Sequence, residues 1–239
     1  MEISGTNVFL LGDVHGMWER LDSLLPLLPE DAIILQLGDF GFDPRHNFVQ
    51  FRPEFGLFGI WPPRIKMGNK KLFWLPGNHE DHDALPNGIK EVAPSITYLP
   101  PGTVFSINGK KVLAIGGADT VSWDRMHRTI GKTIFPEKEG VQKEIVDGLL
   151  KTISPKEIHI FLSHAAPRQF VIPNIVPDTY EDSRNNLAEL LVLCPNHWFF
   201  GHYHLSHENA SWVNSQENIH VCRWRAVDVL EFVDISTYF

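Results

Sequence analysis

Cysteine is scarce in this chain of 239 residues: Cys194 and Cys222 are the only two, they lie far apart, and they form no CxxC pair. That argues against a disulfide framework or a thiolate zinc knuckle and suits a reducing compartment. Basic charge is also short, with 21 Lys and Arg against 29 Asp and Glu and a formal net charge of -8. No dense Lys/Arg stripe gives a broad electrostatic grip on nucleic acid or an anionic membrane. Long apolar runs are missing as well. The opening Asn7-Val8-Phe9-Leu10-Leu11 is too short for a signal-peptide core and lacks a cationic flank. No stretch reaches the roughly 20 apolar residues of a spanning helix. A cytoplasmic protein with no membrane partner is expected. Internal repeats and low-complexity linkers are absent too, so one domain spanning residues 1–239 is expected.

What is present is a core-forming composition, 43% hydrophobic and 21% charged, ordinary for a globular protein. Val8–Leu11 and Ala32–Leu37 have strand length, and between them Leu21, Leu24, Leu25 and Leu28 recur at helical spacing. Lys71–Leu75 is a further buried-strand candidate. Ile96–Ile115 reads as strands broken by Pro100-Pro101-Gly102 and by the hairpin signal Asn108-Gly109. One helix is predicted over Glu137–Ile153 and another over Ser183–Leu193, with strands at Ile158–Leu162 and His197–Phe200. A final pair, Ile219–Arg223 and Val227–Ile235, is expected to close the sheet. Alternating strands and helices around a hairpin-rich middle predict a layered α/β domain on mixed sheets.

Five short segments share one grammar, in which an apolar strand stops and a small-residue turn presents a ligand-capable side chain. They are Gly12-Asp13-Val14-His15-Gly16, Gly38-Asp39, Gly77-Asn78-His79-Glu80, Ser163-His164-Ala165-Ala166-Pro167 and Gly201-His202-Tyr203-His204. Open α/β sheets bind ligands beyond the carboxyl ends of their strands. Oxygen and imidazole donors without thiolate suit manganese, iron, zinc or nickel better than magnesium or calcium. The remaining histidines, His46, His82, His127, His159, His197, His207 and His220, fall outside these segments and are read as structural.

In this order the five segments resemble the motifs of the calcineurin-like metallophosphoesterase superfamily, bacterial and phage members included. The resemblance implies a four-layer sandwich, two mixed β-sheets packed face to face and flanked by helices. It also implies two divalent transition-metal ions, manganese first, with iron, zinc or nickel as alternatives. Asp13, His15 and His204 would bind one ion, Asn78, His164 and His202 the other, and Asp39 would bridge them. His79 would face the substrate and assist a hydroxide held between the metals as it attacks phosphorus. The charge logic agrees: two ions bring four positive charges, Asp13 and Asp39 return two, and the excess suits a phosphate ester.

The chain departs from the protein serine/threonine phosphatase branch of that family. Its second motif continues Phe40-Gly41-Phe42-Asp43-Pro44 where GDxxDRG would be expected, and Leu75-Pro76 stand before Gly77 where an arginine would. Two guanidinium clamps are missing, which favours small phosphate esters, diesters or nucleotides over phosphoproteins. Arg125, after Gly116-Gly117-Ala118-Asp119, is a candidate phosphate contact. A nuclease acting on DNA or RNA is the alternative, disfavoured by the net acidity, and a catalytically inactive scaffold is a third. Residues 44–70 form an aromatic-rich insertion with Phe48, Phe51, Phe55, Phe58 and Trp61. It either packs its rings into the core or forms a lid or partner surface beside the site.

Overall fold

The computed structural model describes residues 1–44, 51–52, 56–57, 61–120, 136–175, 182–215 and 218–239. Two sheets carry the architecture. In the six-stranded sheet, Val8–Leu11, Ile33–Gln36, Lys71–Trp74 and Ile96–Tyr98 run parallel in that order. Phe232–Asp234 and Lys90–Ala93 close its two edges antiparallel. In the seven-stranded sheet, Lys110–Ile115, Ile160–Ser163, His197–Phe200 and Asn218–Ala226 are parallel neighbours. Thr103–Ile107 and His207–Ser215 flank them antiparallel, and Glu2–Ile3 lies outermost beside Thr103–Ile107.

The sheets pack face to face because their strands are apolar on both sides. Leu10, Ile33, Leu35 and Phe73 of one meet Phe105, Val112, Ala114, Ile160, Leu162 and Phe199 of the other in a single buried cluster. Burying each large side chain there contributes about 1.5–3 kcal/mol relative to exposure. The outer face of the six-stranded sheet is covered by helix Trp18–Leu24 through Trp18 and Leu21. The opposite outer face is covered by helices Lys143–Thr152 and Asp182–Glu189 through Val146, Leu149 and Leu187. Helix, sheet, sheet and helix make the expected four layers. Among the described residues no helix is long and apolar enough to cross a membrane, and both cysteines are buried and outside any disulfide.

Three expectations change. The helix predicted over Glu137–Ile153 is two, Pro136–Glu139 and Lys143–Thr152. The Glu139 carbonyl accepts the Ala118 N–H and the Val141 N–H goes to Ser183 Oγ, so neither group serves a continuous helix. The C-terminal strands do not pair with each other. Asn218–Ala226 pairs along nine residues with His207–Ser215, while Phe232–Asp234 crosses to the other sheet. His207–Ser215 escapes prediction because it is polar and its outward Trp212 is 76% exposed, leaving no clear alternation. Part of the 44–70 insertion, Phe48, Phe55 and Phe58 included, lies outside the described residues. Phe51–Arg52 and Gly56–Leu57 pair as a short two-stranded ladder, and Trp61 packs edge-on against Trp18, Phe40 and Phe42.

Candidate metal centre

All five ligand-bearing segments leave parallel strands at their carboxyl ends, three from one sheet and two from the other. The sandwich brings those ends together. Turns tight enough to aim the side chains inward require unusual backbone: His15, Asp39, His202 and His204 all have positive φ, between 50° and 69°. Four such non-glycine residues at one place store strain that the surrounding packing must hold. Glycine is needed where the loops touch. A Cβ on Gly77 would lie 2.2 Å from Asp39 Oδ1 and 2.7 Å from His164 Nε2.

Three clusters of donor atoms result, each within 4.8 Å: Asp13, His15 and His204; His15, Asp39 and His79; and Asp39, His164 and His202. Asn78 joins the third, its Oδ1 3.2 Å from His164 Nε2. His204 Nε2 lies 3.1 Å from Asp13 Oδ2 and 3.0 Å from His15 Nε2. Asp39 Oδ2 lies 3.4 Å from His164 Nε2, 3.8 Å from His15 Nε2 and 3.8 Å from His79 Nε2. Every residue predicted for the site is in this cluster. His204, 36% exposed, and His79, 21% exposed, are its openings to solvent, whereas Asp13, Asp39, Asn78 and His164 are buried.

Both aspartates are held ionised. Burial opposes the charge on Asp13, but hydrogen bonds from His15 and His204 overcome it and lower its pKa. Burial likewise opposes Asp39, and the nearby His79 and His164 lower it well below the usual carboxylate range. Burial works against protonating His164 too, yet the Asp39 and Asp13 charges raise its pKa to about 9. Its neighbour His202 goes the other way, to about 3, through burial and the charge on His164. Two buried carboxylates demand positive charge here, and a proton or a metal ion can supply it.

The hydrogen bonds favour a metal. His164 Nδ1 donates to the Leu37 carbonyl at 2.7 Å, so Nε2, once its proton is displaced, offers a lone pair on the side of Asn78 Oδ1 and Asp39 Oδ2. Asn78 Nδ2 donates to Thr120 Oγ1, so its oxygen is the atom turned inward. Asp13 Oδ2 is buried and turned toward His204 Nε2 at 3.1 Å. Convergent acceptors without donors repel one another unless a cation lies among them, so the donor set fits divalent ions.

Several residues that are not ligands support the site. Gln36, the polar end of an apolar strand, donates to the carbonyls of Gly12 and Gly38 and accepts the Gly38 N–H, tying two ligand loops together. Glu80 accepts the N–H groups of Gly41 and Gly77. Burial and the Asp39 charge raise its pKa to about 8. Thr120 donates in turn to the buried Glu139. Arg184, also buried, donates to the carbonyls of Ala166, Pro167 and Phe170 and lies over the Tyr203 ring, bracing the loops that carry His164 and His202. A polar residue inside an apolar run was the available clue for Gln36; Thr120, Glu139 and Arg184 offered none. His82, outside the motifs, has its ring 3.0 Å from the Gly77 carbonyl, while Arg125, His46 and His127 lie outside the described residues.

Residues 6–206 match the model of the calcineurin-like phosphoesterase family. The chain belongs to that family. Among curated proteins it is similar to a lariat debranching enzyme of Schizosaccharomyces pombe, 28% identical over 239 positions that cover 87% of this chain and 50% of the relative. The chain therefore spans about half the length of that calcineurin-like relative.

Proposed function

We propose that this chain is a metal-dependent phosphoester hydrolase with a dinuclear centre. The observation that carries it is the Asp39 carboxylate, shared between a cluster with His15 and a cluster with His164 and His202, with the Asp13, His15 and His204 group alongside. Asp13, His15 and His204 hold the first ion, Asn78, His164 and His202 the second, and Asp39 both. Two such ions, manganese first among the candidates, lower the pKa of water enough to supply hydroxide near neutrality and polarise phosphoryl oxygens. His79, partly open to solvent beside Asp39, faces the substrate and passes a proton to the leaving oxygen. The site is cationic once loaded, and neutral Asn78 preserves that field where a carboxylate would weaken it.

The missing arginines beside Gly77 and after Asp39 favour a diester or nucleotide over a phosphoprotein. Chelated protein reloaded with manganese, zinc, iron or nickel is expected to cleave bis(p-nitrophenyl) phosphate. Cleavage by none of the reloaded forms, or unchanged cleavage by Asp39→Asn, would overturn the proposal. A polynucleotide substrate is supported by the name of the lariat debranching relative and opposed by the net charge of -8. A steep loss of activity with salt on an oligonucleotide, and not on the small diester, would favour it.

A further inference from the structure

Away from the metal centre, the hairpin His207–Ala226 extends past the last strand of the six-stranded sheet. The two sheets part there around a cavity of about 390 Å³, within the range of small-molecule sites. Its lining includes His197, Phe199, Arg223, Arg225, Asp234 and Tyr238. His197 begins the strand that ends at Phe200, and the ligands His202 and His204 follow that end. At about 3.3 Å per residue, His197 stands about 10 Å before the strand's end at Phe200.

The cavity has an apolar wall and an unsatisfied polar one. Tyr238 meets His197 edge-on at 4.6 Å and Phe199 at 5.7 Å, making a panel of rings. The Arg223 guanidinium is exposed and has no carboxylate among the described residues. Arg225 pairs with Glu231 at 2.8 Å and Glu208 at 3.5 Å, yet its Nε is buried with no acceptor. Of the lining carboxylates, Glu208 is engaged by Arg225, and Asp234 accepts the N–H and hydroxyl of Ser236. Burial, with the charges of Arg223 and Lys110, depresses the pKa of His197.

We propose that this cavity is a ligand site separate from the metal centre, for a small anion borne on a planar ring, of the mononucleotide class. Arg223 takes the anionic group, and the Phe199 and Tyr238 rings pack against the planar body.

The test uses chelated full-length protein, so that the metal centre takes no phosphate, titrated with AMP, adenosine and inorganic phosphate by calorimetry. AMP is expected to bind more tightly than either fragment. Arg223→Glu should weaken AMP at least about tenfold, Tyr238→Ala less, and His79→Ala not at all. Arg223→Glu should also keep its melting temperature and its hydrolysis of bis(p-nitrophenyl) phosphate. Absence of AMP binding at millimolar concentration, binding indifferent to Arg223→Glu, or loss of binding in His79→Ala would each overturn the proposal. Phosphate binding as tightly as AMP would remove the ring from it.

Discussion

Asn78 Oδ1 and His164 Nε2 face each other at 3.2 Å, with His164 Nδ1 bonded to the Leu37 carbonyl, so a metal that takes the place of the Nε2 proton meets both atoms. The orientation of Asn78 depends on Thr120, which takes its Nδ2 hydrogen and is itself anchored on Glu139. Thr120→Val should therefore lower affinity for one of two bound ions by roughly ten- to a hundredfold, and Thr120→Ser should restore it. Calorimetric metal titration measures both steps. Equal weakening of both ions would show a general loss of structure instead.

Metal uptake should depend on pH through His164. Its pKa is raised from 6.5 to about 9. The protonated imidazole thus stabilises the chelated protein fully below pH 6.5, and this contribution disappears as pH rises through about 9. A metal ion must expel that proton. Apparent affinity is expected to rise by about tenfold per pH unit from near neutrality and to level off around pH 9, in a chelator competition assay.

His79→Ala is expected to keep its metal content while turnover falls roughly a hundred- to ten-thousandfold, the span of one general acid. Loss of metal together with activity would make His79 a ligand. That alternative has a structural footing, since its ring lies in one cluster with His15 and Asp39.

Gly77→Ala should abolish metal binding at a position that bears no ligand. The added methyl would lie 2.2 Å from Asp39 Oδ1, far inside van der Waals contact. The loop must move, and the two loops separate. Metal analysis and a diester assay check it.

Arg184→Met should cost about 3 kcal/mol in urea unfolding, because three carbonyls lose a charged donor inside the protein. If the guanidinium also aims the Tyr203 segment, residual activity will need a higher metal concentration in addition to the loss of stability.

The five ligand turns were legible from the chain because each breaks an apolar strand with a small residue and a donor, a pattern written locally. The alternating layers were legible for the same reason, through periodicity in Ile33–Gln36 and Lys143–Thr152. The polar strand His207–Ser215 was not, since it takes its place mainly by pairing with Asn218–Ala226. The helix around Gly140 broke because Ala118 and Ser183, distant in sequence, took its hydrogen-bonding groups.

The sequence by itself determined which side chains can act and which strands present them, because residue type and strand ends are local properties. Only the tertiary structure decided that Asp39 stands between His15 and His164, that Gln36 and Thr120 fix the ligand loops, and that a cavity opens beside His197. Those are distances between residues far apart in the chain, and they arise when two sheets bury a shared face and carry their strand ends to one point.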